Sequence, residues 1–308
     1  MTRRTILLVF ALEAMVFAFL VFALLDRRAH KADVFGVNQW GYRGEARGER
    51  QPGEIRVALV GGSAAYESAT NHEDTMAMAI VSQLQEIGRP RNQEYSIINL
   101  AQPRVSADSY VGTLRSYAFL EPDAVAVVDG YDAIEGLPPH ARERSAVFRA
   151  AGYLPILPAR ILGRPAWLSD PDAGTIEMLR DGRTEPADVG CDGASKSYCA
   201  AMADTVRFVL QQGLPIVVAS PPFVTTRHAA QQRSLGAFLT ETFGSDPRFL
   251  YLDLGTAINL THSAESPDGI HRTVVGNHEV GQPIALGILR LLNRMRTAPV
   301  NAPPRGSR

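Results

Sequence analysis

Five short apolar runs, separated by segments of helical period, constrain the fold of this chain more than any other feature. Each run is continuous and rich in Val, Ile or Leu, which is typical of a strand buried on both faces of a sheet. The runs lie at 55–62, 94–101, 123–130, 214–222 and 248–255, and the helical segments lie at 73–88, 106–120, 194–213, 225–244 and 276–295. This alternation predicts an α/β protein with a three-layer, doubly wound, flavodoxin-like parallel sheet of five strands.

The N-terminal segment TILLVFALEAMVFAFLVFALL, at 5–25, differs from the rest of the chain because Glu13 is its single charge. A helix of this length spans the hydrocarbon core of a bilayer, which is about 30 Å thick. A cleaved signal peptide is the rival interpretation, but its apolar part would be shorter and small residues would mark its cleavage site. We therefore expect an uncleaved membrane anchor over 1–32. Basic residues flank it on both sides, so they leave its orientation undecided.

The two cysteines of the chain, Cys191 and Cys199, enclose the short polar loop of CDGASKSYC. Two thiols this close in such a loop favour a disulfide formed in an oxidising compartment. A zinc site would require further ligands nearby, and the surrounding sequence offers none. A disulfide predicts that the soluble domain lies outside the cytoplasm, in the periplasm, with the N-terminus inside.

The remaining organisation is simple. We expect one domain over 33–295, which begins with a polar, glycine-rich stalk or lead-in. The proline-containing insertion 136–195 interrupts the alternation, either as a cap over the crevice or as a plain surface excursion. The tail 296–308 is predicted to be disordered.

Composition excludes several classes of function. The net charge of −1 offers no basic face for nucleic acid, so no nucleic-acid partner is expected. The glycine patterns of phosphate-binding loops are absent. The seven histidines are scattered without metal-ligand spacing, so we expect neither a metal nor a cofactor.

Candidate chemistry lies where strands end. Ser63 follows the first strand, whereas Asp268 and His271 stand three residues apart before the last helix. Parallel strands end at one crevice, so a doubly wound sheet brings these residues together. A serine nucleophile needs a neighbouring base and a group that orients the base. Taken singly, Ser63 is more typical of a helix N-cap than of a nucleophile, and the Asp268/His271 pair is more typical of a polar capping loop. His278 is more typical of a surface or capping residue than of a second base.

Several blocks, in this order, resemble the SGNH (GDSL-like) hydrolases. IRVALVGGSAAYES resembles the first family block, with Gly-Gly-Ser in place of Gly-Asp-Ser, and DGIHRTVVGNHEVGQPIA resembles the last. The intermediate stretches INLAQPRVSADSY, LEPDAVAVVDGYDAIEG and VVASPPF are similar to the blocks between them, and NQWGYRG is typical of anchored bacterial members. The resemblance covers residues 35–295.

The resemblance implies a role for each matching residue. Ser63 would be the nucleophile, His271 its base and Asp268 the residue that orients His271. The family's oxyanion donors are the backbone N–H of the serine, a glycine N–H and an asparagine amide; the second and third positions hold Arg104 and Asp132 here. An ionised aspartate accepts hydrogen bonds and cannot donate them. The resemblance therefore predicts an intact triad with an altered oxyanion hole.

Three functions remain open on the sequence. The first is a membrane-anchored esterase that hydrolyses O-acyl groups, such as acetyl, on a cell-envelope or secreted glycan. The second is an acyltransferase that passes the acyl group to a sugar within a polysaccharide machinery. The third is a glycan-binding or scaffold protein that has lost catalysis.

Overall fold

The structure is a computed structural model that describes residues 2–31, 37–67, 70–88, 93–102, 105–129, 146–151, 153–157, 189–266, 269 and 271–297. Five parallel strands form one sheet in the order β2-β1-β3-β4-β5. They are β1 Glu54–Gly61, β2 Glu94–Asn99, β3 Ala124–Val128, β4 Ile216–Ala219 and β5 Phe249–Leu252. The predicted flavodoxin-like sheet is confirmed.

Eight α-helices are present in the described part of the chain. They are α1 Arg3–Lys31, α2 Ser63–Tyr66, α3 Met76–Gly88, α4 Tyr110–Ser116, α5 Ala146–Ala151, α6 Lys196–Gln211, α7 Thr226–Phe243 and α8 Val274–Thr297. Helices α3 and α8 cover one face of the sheet, and α4, α6 and α7 cover the other. The predicted three-layer arrangement follows from this division.

The alternation of side chains along each strand explains why both faces are apolar. In β1, Val57 and Leu59 belong to the core under α3 and α8, whereas Ala58 and Val60 belong to the opposite core. All eight residues of β1 are buried. A central strand of a parallel sheet has no solvent-facing side, which is why β1 is apolar from Val57 to Val60, and its two charged residues, Glu54 and Arg56, are buried as an ion pair.

Among the described residues, one helix is long and apolar enough to cross a membrane, over Arg3–Arg28. Its apolar side chains are exposed along most of its length. The last turns of α1 differ, because Asp26 is buried against the segment 153–157. Asp26 therefore joins the C-terminal part of α1 to the domain.

The lead-in packs on the domain. Arg43 forms isolated β-bridges with Val37 and with Asn99 at the end of β2. Of the predicted insertion 136–195, the described residues include α5 and a segment at 153–157, while 158–188 lies outside them. Helix α8 ends at Thr297, two residues into the predicted tail, and 298–308 lies outside the described residues.

The two cysteines are joined in a disulfide between Cys191 and Cys199. It connects the turn before α6 to the first turn of that helix. The backbone N–H of Cys191 also donates to the Ser234 hydroxyl on α7, at 3.0 Å. The disulfide thereby fixes the start of α6 beside α7.

Candidate active site

Four strands end level with one another at the edge of the sheet that carries the candidate residues. Gly61, Val128, Ala219 and Leu252 are consecutive partners across β1, β3, β4 and β5. A Cβ atom added to Gly61 would lie 1.8 Å from the carbonyl oxygen of Val128, so only glycine fits there. The close approach of β1 and β3 sets the point from which the chain turns into α2.

Ser63 is the first residue of α2, a single helical turn of four residues that follows β1. The N-cap of this helix is Gly62, and its backbone carbonyl accepts hydrogen bonds from Ala65 and Tyr66. Ser63 thus does not occupy the capping position that the alternative interpretation requires. Its side chain is only half-buried, in contrast to the three buried residues that follow it.

The carbonyl groups of α2 are bound by side chains from three distant parts of the chain. A helix of one turn leaves its last carbonyls without intrahelical partners. The Arg272 guanidinium donates to Ala64 O, the Asn99 amide donates to Ala65 O at 3.0 Å, and Arg43 donates to Tyr66 O at 2.6 Å. The turn that carries Ser63 is therefore held by loop, strand and lead-in at once.

Arg43 binds the chain beyond α2 as well. The nitrogen Nη1 donates to Glu67 O at 2.7 Å, and Nη2 donates to Thr70 O. The guanidinium lies 5.0 Å from the centre of the Tyr66 ring, within the range of a cation–π contact. The buried Arg43 explains why the NQWGYRG stretch belongs to the domain.

A buried ion pair joins the segment that carries His271 to the nucleophile turn. Arg272 Nη2 lies 2.9 Å from Glu67 Oε1, and both side chains are buried. Burial raises the pKa of Glu67, whereas the Arg272 guanidinium and the N–H of Met76 act to lower that pKa. Since Arg272 follows His271 directly, this contact joins the residue next to His271 to the end of the turn that begins with Ser63.

The loop before α8 has its own internal support. The buried Ser266 hydroxyl donates to the backbone carbonyl of His271 at 2.6 Å and accepts from the N–H of Gly269 at 3.0 Å. Gly269 has a φ of 87°, a conformation that favours glycine. These bonds connect Ser266, Gly269 and His271, which are described residues around the predicted Asp-x-x-His pair.

Three of the predicted site residues, Asp268, Arg104 and Asp132, lie outside the described residues. Ser63 and His271 are described; His271 is half-buried, and its neighbour Arg272 contacts α2. His278 is exposed on α8, which agrees with its interpretation as a surface residue.

A buried carboxylate that the sequence analysis did not single out lies at the end of β3. Asp129 accepts a hydrogen bond from the Tyr110 hydroxyl on α4. Burial, and then the charge of Asp129, raise the pKa of Tyr198 on α6 well above its ordinary value. The aspartate thus ties the chain that leads toward Asp132 to helices on one face of the sheet.

A cavity of about 700 Å³ opens beside the His271 loop. Ser266 and Gly269 are among the residues that line it. The lining also includes the apolar residues Phe223, Ile258 and Leu260 and the polar residues Thr256, Asn259, Thr261 and Ser263. Such a mixture suits a ligand with both hydroxyl groups and apolar faces.

No protein-family model matches the chain, and no curated protein matches it either. Solved structures do match. Many of them are esterases and lipolytic proteins of the GDSL, or SGNH, family.

Three of these structures illustrate the likeness. A two-domain esterase (CEX) active on acetylated mannans shares 13% identity at a TM-score of 0.47; the match covers 82% of this chain but only 53% of the esterase. A putative lipolytic protein of the G-D-S-L family from Desulfitobacterium hafniense shares 11% identity at 0.43, over 76% of this chain and 99% of that one. A Clostridium thermocellum family 3 carbohydrate esterase shares 8% identity at a TM-score of 0.48, and the match covers 79% of this chain and 98% of the esterase.

At these identities and TM-scores, the likeness carries no argument about substrate or reaction. This chain spans about half of the length of the two-domain esterase.

Proposed function

We propose that this chain is a membrane-anchored serine esterase of the SGNH type, which hydrolyses O-acyl esters of a glycan outside the cytoplasm. One observation supports this proposal most directly. Arg272, which follows His271, bonds to Ala64, which follows Ser63. A nucleophile and its base must lie within hydrogen-bond reach of each other, and this bond joins the backbone segments that carry them.

The mechanism uses the residues that the sequence motifs single out. Ser63 Oγ attacks the acyl carbon while its proton passes to the His271 imidazole. The imidazolium then protonates the departing sugar oxygen, which leaves an acyl-serine and a free alcohol. Water, deprotonated by His271, then attacks the acyl-serine, and the imidazolium returns its proton to Ser63 Oγ as the bond to the acyl carbon breaks and the carboxylic acid is released. Asp268 orients the imidazole, and the backbone N–H of Ser63 donates to the oxyanion.

The cavity beside the His271 loop is the proposed site for the sugar part of the ester. Phe223 offers an apolar face, and Thr256 and Asn259 offer polar groups for hydroxyls. Aromatic and polar groups together are typical of small-molecule sites. The acyl group to test first is acetyl, and acetylated mannan, on which the two-domain esterase is described as active, serves as the first glycan.

The proposed location follows from the anchor and the disulfide. Helix α1 is long and apolar enough to span a bilayer. A disulfide such as Cys191–Cys199 persists in an oxidising compartment. Together they support a single-pass anchor with the domain on the extracytoplasmic side.

Covalent labelling of the full-length protein in detergent tests the reaction. A fluorophosphonate probe should label the wild type, and labelling and p-nitrophenyl acetate hydrolysis should both be lost in Ser63→Ala and His271→Ala. His278→Ala is the matched control, since this exposed histidine lies on α8 outside the proposed site. The control should retain labelling and turnover.

Two other outcomes would change the assignment. Transfer of the acetyl group to an added sugar, in preference to water, would identify an acyltransferase that uses the same serine and histidine. Absence of both labelling and turnover would contradict the esterase proposal and would favour a glycan-binding protein.

A further inference from the structure

We propose that Glu67 and Arg272 are a positioning pair, which fixes the Ser63 turn against the His271 segment. Neither residue touches the acyl group in this proposal. The inference rests on the proposed function, because it assigns to the pair the task of aligning that function's nucleophile and base.

The contacts of Arg272 reach both parts of the site. Its Nη2 atom donates to Glu67 Oε1 at 2.9 Å and also to the backbone carbonyl of Ala64, within α2. Its Nε atom donates to Asn277 Oδ1 at 2.8 Å, on the first turns of α8. One guanidinium therefore connects the nucleophile turn to the helix that follows His271.

Glu67 extends the connection to a third element. Its second oxygen, Oε2, accepts a hydrogen bond from the backbone N–H of Met76 at 2.6 Å, at the start of α3. The carboxylate also stands at the positive end of that helix dipole. The pair thus links α2, α3 and α8 through charge-assisted hydrogen bonds, which are shorter and stronger than neutral ones.

The backbone conformation of Glu67 gives an independent reason to assign a positioning role to this residue. Its φ of 58° places it in the left-handed region, where glycine is the usual residue. A glutamate held there costs free energy, and such conformations persist where surrounding contacts determine them. The bonds to Arg272 and Met76 are contacts of this kind.

Loss of either partner should disturb alignment more than binding. A buried charge whose partner is removed must move, recruit water or change protonation. Movement of Arg272 would release the Ala64 carbonyl and shift the segment next to His271. The sugar cavity is lined by other residues, so affinity for substrate should change little.

The chain contains a matched control pair. Arg56 Nη2 lies 2.9 Å from Glu54 Oε2, and the side chains are 4% and 5% exposed, compared with 2% and 6% for Arg272 and Glu67. Glu54 begins β1, at the opposite end of the strand from Ser63. Breaking this pair removes a similar buried interaction far from the proposed site.

The experiment compares the two pairs in the full-length protein in detergent, below the melting temperature of every variant. We expect Glu67→Gln and Arg272→Met to lower kcat for p-nitrophenyl acetate, and the rate of fluorophosphonate labelling, by about tenfold or more, with KM within about twofold. Glu54→Gln and Arg56→Met should lower the melting temperature but leave kcat within about twofold of the wild type. Arg272→Lys keeps the charge without the planar fork, so its kcat should lie between those of the wild type and Arg272→Met.

Amide hydrogen exchange of the segment 262–273 tests the positioning role of Glu67 and Arg272 without relying on esterase activity. Exchange should become faster in Glu67→Gln and Arg272→Met than in the wild type, and should stay unchanged in Glu54→Gln. Wild-type kcat in the first two variants, or equal losses of kcat in both pairs, would overturn the positioning role while the esterase stands. If the wild type itself neither labels nor turns over, the esterase proposal fails, and unchanged exchange would then overturn the pairing as well.

Discussion

The carboxylate of Asp26 accepts a hydrogen bond from the backbone N–H of Leu157 at 2.7 Å, and so ties the N-terminal helix to a segment 131 residues later in the chain. The same oxygen, Oδ1, accepts from the N–H of Ile156 at 3.0 Å, and Oδ2 accepts from the Tyr153 hydroxyl. Asp26 is only 2% exposed. The end of the apolar helix is consequently part of the domain that carries the candidate site.

Substitution of Asp26 should destabilise the domain itself. Asp26→Ala leaves the buried N–H of Ile156 and the part-buried N–H of Leu157 without this acceptor, and a buried donor left unpaired costs about 1–3 kcal/mol. We expect the melting temperature of the full-length protein in detergent to fall by about 5 °C or more. Asp26→Asn, which keeps an Oδ1 acceptor for both amides, should melt closer to the wild type. Equal melting temperatures of Asp26→Ala and the wild type would contradict a structural role for the hydrogen bonds between Asp26 and the segment 153–157.

The disulfide gives a second prediction about stability. A cross-link over a sequence separation of 8 residues restricts the unfolded chain and stabilises the native state by about 2.5 kcal/mol in the chain-entropy treatment. We expect the Cys191→Ser/Cys199→Ser variant to melt about 5–10 °C lower than the wild type. Reductant should lower the melting temperature of the wild type and leave the variant unchanged. Thiols that react freely in protein from the native membrane would argue against the proposed location.

His228 predicts a dependence of stability on pH. Burial lowers the pKa of this histidine from 6.5 to about 4. Between pH 4 and pH 6.5 the histidine is protonated in the unfolded chain but neutral in the folded one. The free energy of unfolding therefore decreases as the pH falls from about 6.5 to about 4. Below pH 4 both states carry the proton, and this contribution no longer changes.

Melting curves at several pH values test this assignment. The melting temperature of the wild type should fall further between pH 7 and pH 4.5 than that of His228→Gln. This variant keeps the backbone N–H that donates to Thr225 Oγ1. Parallel losses in the two proteins would show that other groups cause the acid sensitivity.

Much of the fold was predictable because the central strands are buried on both faces. The run 214–222 predicted β4, yet the strand comprises only Ile216–Ala219. Pro215 and Pro221 flank it, and proline lacks the N–H that would extend the hydrogen-bonded ladder. An apolar run indicates that a strand exists, whereas its ends depend on hydrogen bonding.

The supports of the candidate site were not predictable in the same way. Arg272 and Glu67 are 205 residues apart, and charged residues in a sequence are typical of solvent-exposed positions. Asp26 similarly follows the apolar run 5–25 directly, where a charged residue is expected to face solvent. Their burial depends on partners brought in by the tertiary fold, which leaves no local periodicity to detect. The candidate nucleophile and base, Ser63 and His271, were indicated instead by their places at strand and helix ends.

Asp132 supplies the last prediction, on catalysis. The resemblance of the sequence to SGNH hydrolases predicts that Asp132 takes the place of an asparagine donor, and an ionised aspartate there would repel the oxyanion instead of donating to it. Removal of one oxyanion donor from a serine protease costs about 10²–10³ in kcat, so restoring one should produce a substantial gain. We expect Asp132→Asn to raise kcat for p-nitrophenyl acetate by about tenfold or more, with the fluorophosphonate labelling rate rising in parallel.

Asp192→Asn is the matched control, since it removes the same charge from an exposed position in the loop before α6 and should leave kcat unchanged. An increase of kcat in both variants would indicate that the change in net charge, and not a new donor to the oxyanion, causes the effect. If Asp132→Asn instead abolishes an existing activity, the carboxylate has a role of its own in this enzyme. Arg104 would then be the candidate donor, because its guanidinium can neutralise the carboxylate and donate to the oxyanion in place of the missing amide.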